Sequence, residues 1–200
     1  MNKCYVFRRL SGFGAGNLSS GHVGWAFQLG DGTVICGATE NPSGNFNQPS
    51  TAKGAWCERY NENDLLRAFT QVRHFTDAHR NSVGQSLPYD HYKVLASEAP
   101  NPDNAYAKAV WCSKQDFRGT GIPRGRNCLD DTFDILEAYG KRGLHWPSDP
   151  RYCSPNLWFD SLSEQSIRMP RFDMSQQERL ALPEASADLV CAPQWAVSAA

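Results

Sequence analysis

"SSGHVGWAFQLGDGTVICGATEN", residues 19–41, is the stretch on which the reading of this chain turns. Two β-branched and aromatic runs flank "GDG", so the segment predicts a β-hairpin. Successive side chains on a strand point to opposite faces. Val23, Trp25, Phe27 and Leu29 therefore share one face, and His22, Gly24, Ala26 and Gln28 share the other. The second face is unusual: one imidazole stands among residues with almost no side chain, which leaves room for another element to approach.

Outward from the hairpin, the remaining patterns predict strands on one side of the chain's economy and helices on the other. "KCYVFRR" (3–9) alternates as a first strand, and "YDHYKVLAS" (89–97) reads as a later one. "NENDLLRAFTQVRHF" has helical spacing through Leu65, Leu66, Phe69, Val72 and Phe75. "PDNAYAKAVWCSKQDF" opens a second helix with Pro102 and Asp103. "NCLDDTFDILEAYG" is a third, with Leu129, Phe133 and Leu136 facing the core and Gly140 as its stop. A short helix is expected after the proline-rich "WPSDPRYCSPNLWFDSL", and residues 41–56 read as loop. The expected fold is α+β, an antiparallel sheet packed against helices in one domain over residues 1–164. Residues 165–200 are expected as a weakly patterned extension that wraps the domain or is partly disordered.

With 200 residues, 40% of them hydrophobic, the chain suits one compact core. Twenty basic residues against 21 acidic ones leave no basic patch or run, which argues against nucleic acid as a partner. Nothing approaches the 18 or so consecutive apolar residues that a membrane-spanning helix needs. The start, "MNKCYVFRRLSGFG", lacks the apolar run and cleavage site of a signal peptide. A cytoplasmic site of synthesis is expected, with signal-independent export or delivery as an effector left open. The seven cysteines are an odd number with no C-x-x-C pair, against both a complete disulfide framework and a zinc ribbon. "SGFGAGNLSSG" has glycines but no P-loop lysine, and it leads into a strand, so it reads as a flexible loop and not a phosphate cradle. His74 and His79 are five apart, off the i, i+4 spacing of a zinc pair. His91 beside Asp90 and His145 beside Trp146 read as surface or packing residues, each an alternative base. No metal or organic cofactor is expected.

Cys128 follows Asn127, a favoured N-cap, with Asp130 placed to complete a capping box. A thiol at the first helical position sits where the helix dipole favours its thiolate, and Arg124 and Arg126 add attraction. Asp130 and Asp131 oppose it, so activation calls for an imidazole, and His22 is the candidate. Gly24 and Ala26 beside it leave space for a helix that carries Cys128 at its start. A third group should orient the imidazole. A three-residue turn at Gly30–Gly32 sets Glu40 across from His22, while a two-residue turn at Asp31–Gly32 sets Asn41 there. Glu40 suits an imidazolium, Asn41 a neutral ring; Glu40 is the preferred assignment.

"HVGWAFQLGDGTVI" resembles the H-V-G-I-Y-L-G-x-G strand pair of NlpC/P60-type papain-like cysteine peptidases. The histidine hairpin precedes the "NC" helix here, an order similar to the circularly permuted branch that includes lecithin:retinol acyltransferase-like proteins. "YGKRGLHWPSDPRYCSPNLWF" is similar to the proline-bearing segment that often follows the cysteine helix of that branch. The resemblance covers roughly residues 20–40 and 125–160. It implies a permuted papain-like fold with Cys128 as nucleophile and His22 as base. The family's third polar residue, near "VIxA", would fall at Cys36, so Cys36 stands beside Glu40 and Asn41 as an alternative. The implied activity is that of a cysteine hydrolase, an amidase or peptidase working through an acyl-enzyme. Its substrate would be a cell-wall peptide, a protein amide or an acyl ester, and transfer to an amine or alcohol would make it an acyltransferase. A non-catalytic module of the same fold, binding a peptide, glycan or lipid head, is the rival reading.

Overall fold

The computed structural model describes residues 2–10, 21–40, 54–70, 89–115 and 126–170. In chain order these form β1 (Asn2–Arg9), β2 (His22–Gln28), β3 (Thr33–Glu40), β4 (Gly54–Asn61), a 3-10 turn (Glu62–Asp64) and α1 (Leu65–Thr70). There follow β5 (His91–Ser97), α2 (Pro102–Cys112), α3 (Cys128–Tyr139), α4 (Pro155–Ser161) and β6 (Ile167–Arg168). The six strands make one sheet in the order β4-β3-β2-β1-β5-β6, and every pairing among the described residues is antiparallel. With four helices among the described residues, the architecture is α+β.

Alternation along the strands separates two cores. On one face Cys4, Val6, Val23, Trp25, Phe27 and Leu95 pack against α2, α3 and α4 through Ala105, Leu129, Phe133, Leu136 and Phe159. On the other Tyr5, Phe7, Ala26, Cys36 and Ala38 pack against Leu65 and Phe69 of α1, with Tyr89 and Met169 closing the cluster. The hairpin turns through residues 30–32, with the Leu29 N–H donating to the Thr33 carbonyl at 2.7 Å. That three-residue loop fixes the register Gly24↔Ala38, Ala26↔Cys36 and Gln28↔Val34.

α3 has both of its expected ends. Asn127 accepts from the Leu129 and Asp130 amides, while the Asp130 side chain accepts from the Asn127 amide. At its far end Gly140 takes φ 98°, and an added Cβ there would lie 2.1 Å from the Ala99 carbonyl oxygen, so only glycine fits. One element departs from expectation: β4 begins inside the stretch read as loop. Past residue 164, β6 pairs with β5 and Met169 is buried. The expected helix from Leu65 is seen as far as Thr70, and its continuation through Val72 and Phe75 lies outside the described residues, as does the loop at 11–20.

Candidate functional site at one end of the sheet

α3 lies along β2 in the same direction. Near its start Asp131 accepts a hydrogen bond from the Thr39 hydroxyl at 2.7 Å, and at its finish the Tyr139 hydroxyl donates to the Gln28 carbonyl at 2.9 Å. Thr39 stands one residue beyond the Gly24↔Ala38 pair, level with Val23. The first residue of α3, Cys128, therefore stands at the end of the sheet where β2 begins with His22.

The described residues that flank four segments lie at that end. Segment 11–20 leaves from Leu10 and returns at Gly21, and 41–53 leaves from Glu40 and returns at Gly54, its register partner. Segment 71–88 joins α1 to Tyr89, whose N–H donates to the Phe69 carbonyl at 3.3 Å, and 116–125 joins α2 to Arg126. At the opposite end lie the turns at residues 30–32, at Glu62–Asp64 and between β5 and α2, and the connection 140–154 leaves from there towards α4. α4 begins at the end where β2 starts: a Cβ on Gly21, which has φ +76°, would fall 2.1 Å from Asn156 Oδ1.

The candidate residues meet at this end but not on one face. Cys128 is 5% exposed and belongs to the cluster of Val23 and Trp25 under α3. His22, 3% exposed, lies on the α1 face, with its ring 5.8 Å from that of Tyr89. The space beside Gly24 is filled by α1 and not by the cysteine helix: a Cβ there would meet Phe69 Cε1 at 2.7 Å. The expectation that α3 would approach over Gly24 and Ala26 is thus corrected. α3 takes the Val23, Trp25 and Phe27 face, because that is where the large apolar side chains are, and the sheet stands between the thiol and the imidazole. The Cys128 thiol makes no hydrogen bond among the described residues.

The third-residue alternatives separate as well. The three-residue turn, continued two residues past Gly24↔Ala38, sets the Glu40 backbone opposite His22. Asn41 lies outside the described residues. Cys36 shares His22's face but pairs with Ala26, fully buried, and burial pushes its thiol well above the ordinary range. His74 and His79 lie outside the described residues. His91, tied through Nδ1 to Asp90 Oδ1 at 2.6 Å, pairs with Arg8 on the side of α4. His145 stacks on Tyr152, with ring centroids 4.1 Å apart.

Around the start of α3 a buried polar bridge joins sheet to helices. Asp131, besides accepting from Thr39, accepts from Arg126 Nε at 2.8 Å; Arg126 Nη2 also reaches Asp134 at 2.8 Å and Cys112 Sγ at 3.5 Å. Burial raises the Asp131 carboxyl above the usual carboxylate range, while Thr39 and Arg126 pull it back down. Nothing in the sequence pattern paired Thr39 with Asp131, since a sheet-to-helix hydrogen bond has no period. The Asn127 cap and carbonyl take the Leu129, Asp130 and Asp131 amides, which leaves the Cys128 N–H as the unspent donor at the helix start among the described residues. No group of three or more His, Cys, Asp or Glu among the described residues is arranged to hold a metal, and no described helix is long and apolar enough to cross a membrane. Five cysteines (4, 36, 112, 128 and 153) are free thiols.

In comparisons with known proteins, the chain matches no family model, no curated protein and no solved structure.

Proposed function

We propose that this chain is a cysteine hydrolase of the permuted papain-like kind, an amidase or peptidase, with its site at the end of the sheet where β2 begins. The observation that carries the reading is the alignment of α3 with β2, which stands Cys128, first in a capped helix, at the end of the sheet that His22 opens. In the reaction His22 takes the Cys128 proton and the thiolate attacks an amide carbonyl. The Cys128 N–H, at the positive end of the helix, stabilises the oxyanion. His22 then protonates the leaving amine, and water releases the acyl group from sulfur. Glu40, opposite His22 in register, orients the ring.

The chemistry requires the imidazole to come round the end of β2. His22 is the strand's first residue, so the movement gives up the terminal pair Arg9↔His22 together with the buried ring's packing on Tyr89, at a cost on the order of a few kcal/mol. The test is iodoacetamide alkylation across pH, read residue by residue by mass spectrometry, with the exposed free thiol of Cys153 as internal reference. Cys128 should outpace Cys153 below pH 8, and His22→Ala should remove that lead. If Cys128 is inert, or reacts identically without His22, the second reading takes over: a binding module of peptide, glycan or lipid head, which the burial of the Cys128 thiol and its lack of a hydrogen bond favour.

A further inference from the structure

On the face of the sheet that carries Cys128, Arg8 is the register neighbour of Val23 on one side and of His91 on the other. Its side chain is 8% exposed, lies 4.4 Å over the Phe159 ring and uses Nη1 to hold Asp160 at 2.5 Å. Its Nε is buried without a hydrogen-bond partner among the described residues. Lys93, 4% exposed, sits 4.9 Å from the centroid of the same ring and donates to the Leu162 carbonyl at 2.6 Å. Glu164, the other acid near Lys93, already binds Lys141 at 2.7 Å. Arg8 thus rests on one carboxylate, that of a residue whose side chain is 64% exposed, and Lys93 beside it on the same ring has no carboxylate within ion-pair distance among the described residues. A buried cation needs a partner, and an exposed aspartate on a short helix is one that a ligand can displace.

We propose that Arg8 and Lys93 form a carboxylate-binding subsite beside the Cys128 end of the sheet, that Asp160 occupies it in the free protein, and that the substrate is a peptide or amide bearing a free carboxylate. This assignment of substrate class rests on the hydrolase reading; the subsite itself does not. A carboxylate is favoured over phosphate because a carboxylate already fits the Arg8 Nη1 position. Thr39, level with Val23, and Arg8 are two strand spacings apart, about 10 Å along the sheet.

The experiment is calorimetric titration of the full chain with glutarate, with glutaramide as the uncharged match and with inorganic phosphate. Glutarate should bind saturably, with glutaramide and phosphate at least about tenfold weaker. Asp160→Asn, whose amide oxygen can still accept from Arg8, should tighten glutarate about tenfold by removing the resident charge. Arg8→Lys should weaken it by a similar factor. Glutarate should also slow iodoacetamide at Cys128 and not at Cys153. Equal binding of glutaramide, preference for phosphate, or an Asp160→Asn dissociation constant unchanged from the parent would overturn the subsite. Failure of the hydrolase reading shows separately: glutarate binds and responds to Asp160→Asn, yet Cys128 alkylation takes no notice of His22.

Discussion

At Glu62 a single carboxylate accepts from Lys3 Nζ at 2.6 Å, the Tyr5 hydroxyl at 2.5 Å and Gln28 Nε2 at 3.2 Å, pinning β1 and β2 to the 3-10 turn before α1. The Lys3 hydrogen bond, then that of Tyr5, holds the Glu62 carboxyl below the usual range. A depressed folded-state pKa means stability that is present above the unfolded value of about 4.5 and lost as pH falls through the folded value. Glu62→Gln should therefore cost about 1 kcal/mol in urea unfolding at pH 7, discounted for partial exposure, and the gap between the two proteins should narrow as the pH falls below the unfolded value and through the folded one. Gly24 sets a different kind of limit. Phe69 and Phe7 stack with centroids 3.6 Å apart, so the ring facing Gly24 has little freedom to retreat. Gly24→Ala should destabilise by about 1–3 kcal/mol in the same assay. The parity of β2 was legible in the sequence, down to each residue's face. What parity does not encode is the occupant: a gap made by glycine and alanine accepts a helix backbone or, as here, a phenyl ring from a shorter helix.

Among the elements, α3 was the most legible because its signals are local. Asn127, Asp130 and Gly140 each act on backbone groups within a turn, so the cap and the stop can be read without knowing what the helix packs against. Its seat on the sheet was not legible, since Thr39 and Asp131 are brought together only by the docking itself. β4 escaped for a related reason. As an outermost strand it carries Glu58 and Arg59 in mid-run, with Arg59 reaching Thr33 Oγ1 at 2.8 Å and Asp31, and charge on an edge strand protects it from stray pairing while erasing alternation. Thr39→Val tests the seat. It leaves a buried carboxylate with one donor fewer, so a loss of about 1–3 kcal/mol is expected, with Asp131→Asn similar or larger because Arg126 also loses one of its two carboxylate partners. If Thr39→Val were neutral, the bridge would not be what holds α3 to β3.

Across the whole molecule, β1 and β2 are central in the sheet and covered on both faces, by α2, α3 and α4 on one and α1 on the other, while β6 is two exposed residues on the far edge. Opening a central strand breaks pairings on two sides and uncovers both cores, so its amides should exchange only through global unfolding; β6 opens alone. Native-state hydrogen exchange should accordingly find Val6, Phe7, Trp25 and Ala26 the slowest, and Ile167 and Arg168 faster by at least about a hundredfold. The same measurement bears on catalysis, because the hydrolase reading requires the Arg9↔His22 end of the central pair to open while Phe7↔Gly24 stays closed. Amides at Arg9 and His22 should then exchange well before their neighbours two residues inward, at a rate independent of denaturant, the mark of local opening. Should they instead exchange as slowly as Trp25 and with the same denaturant dependence, the imidazole would have no route to Cys128 short of unfolding, and the two faces of the sheet would have to be treated as separate sites.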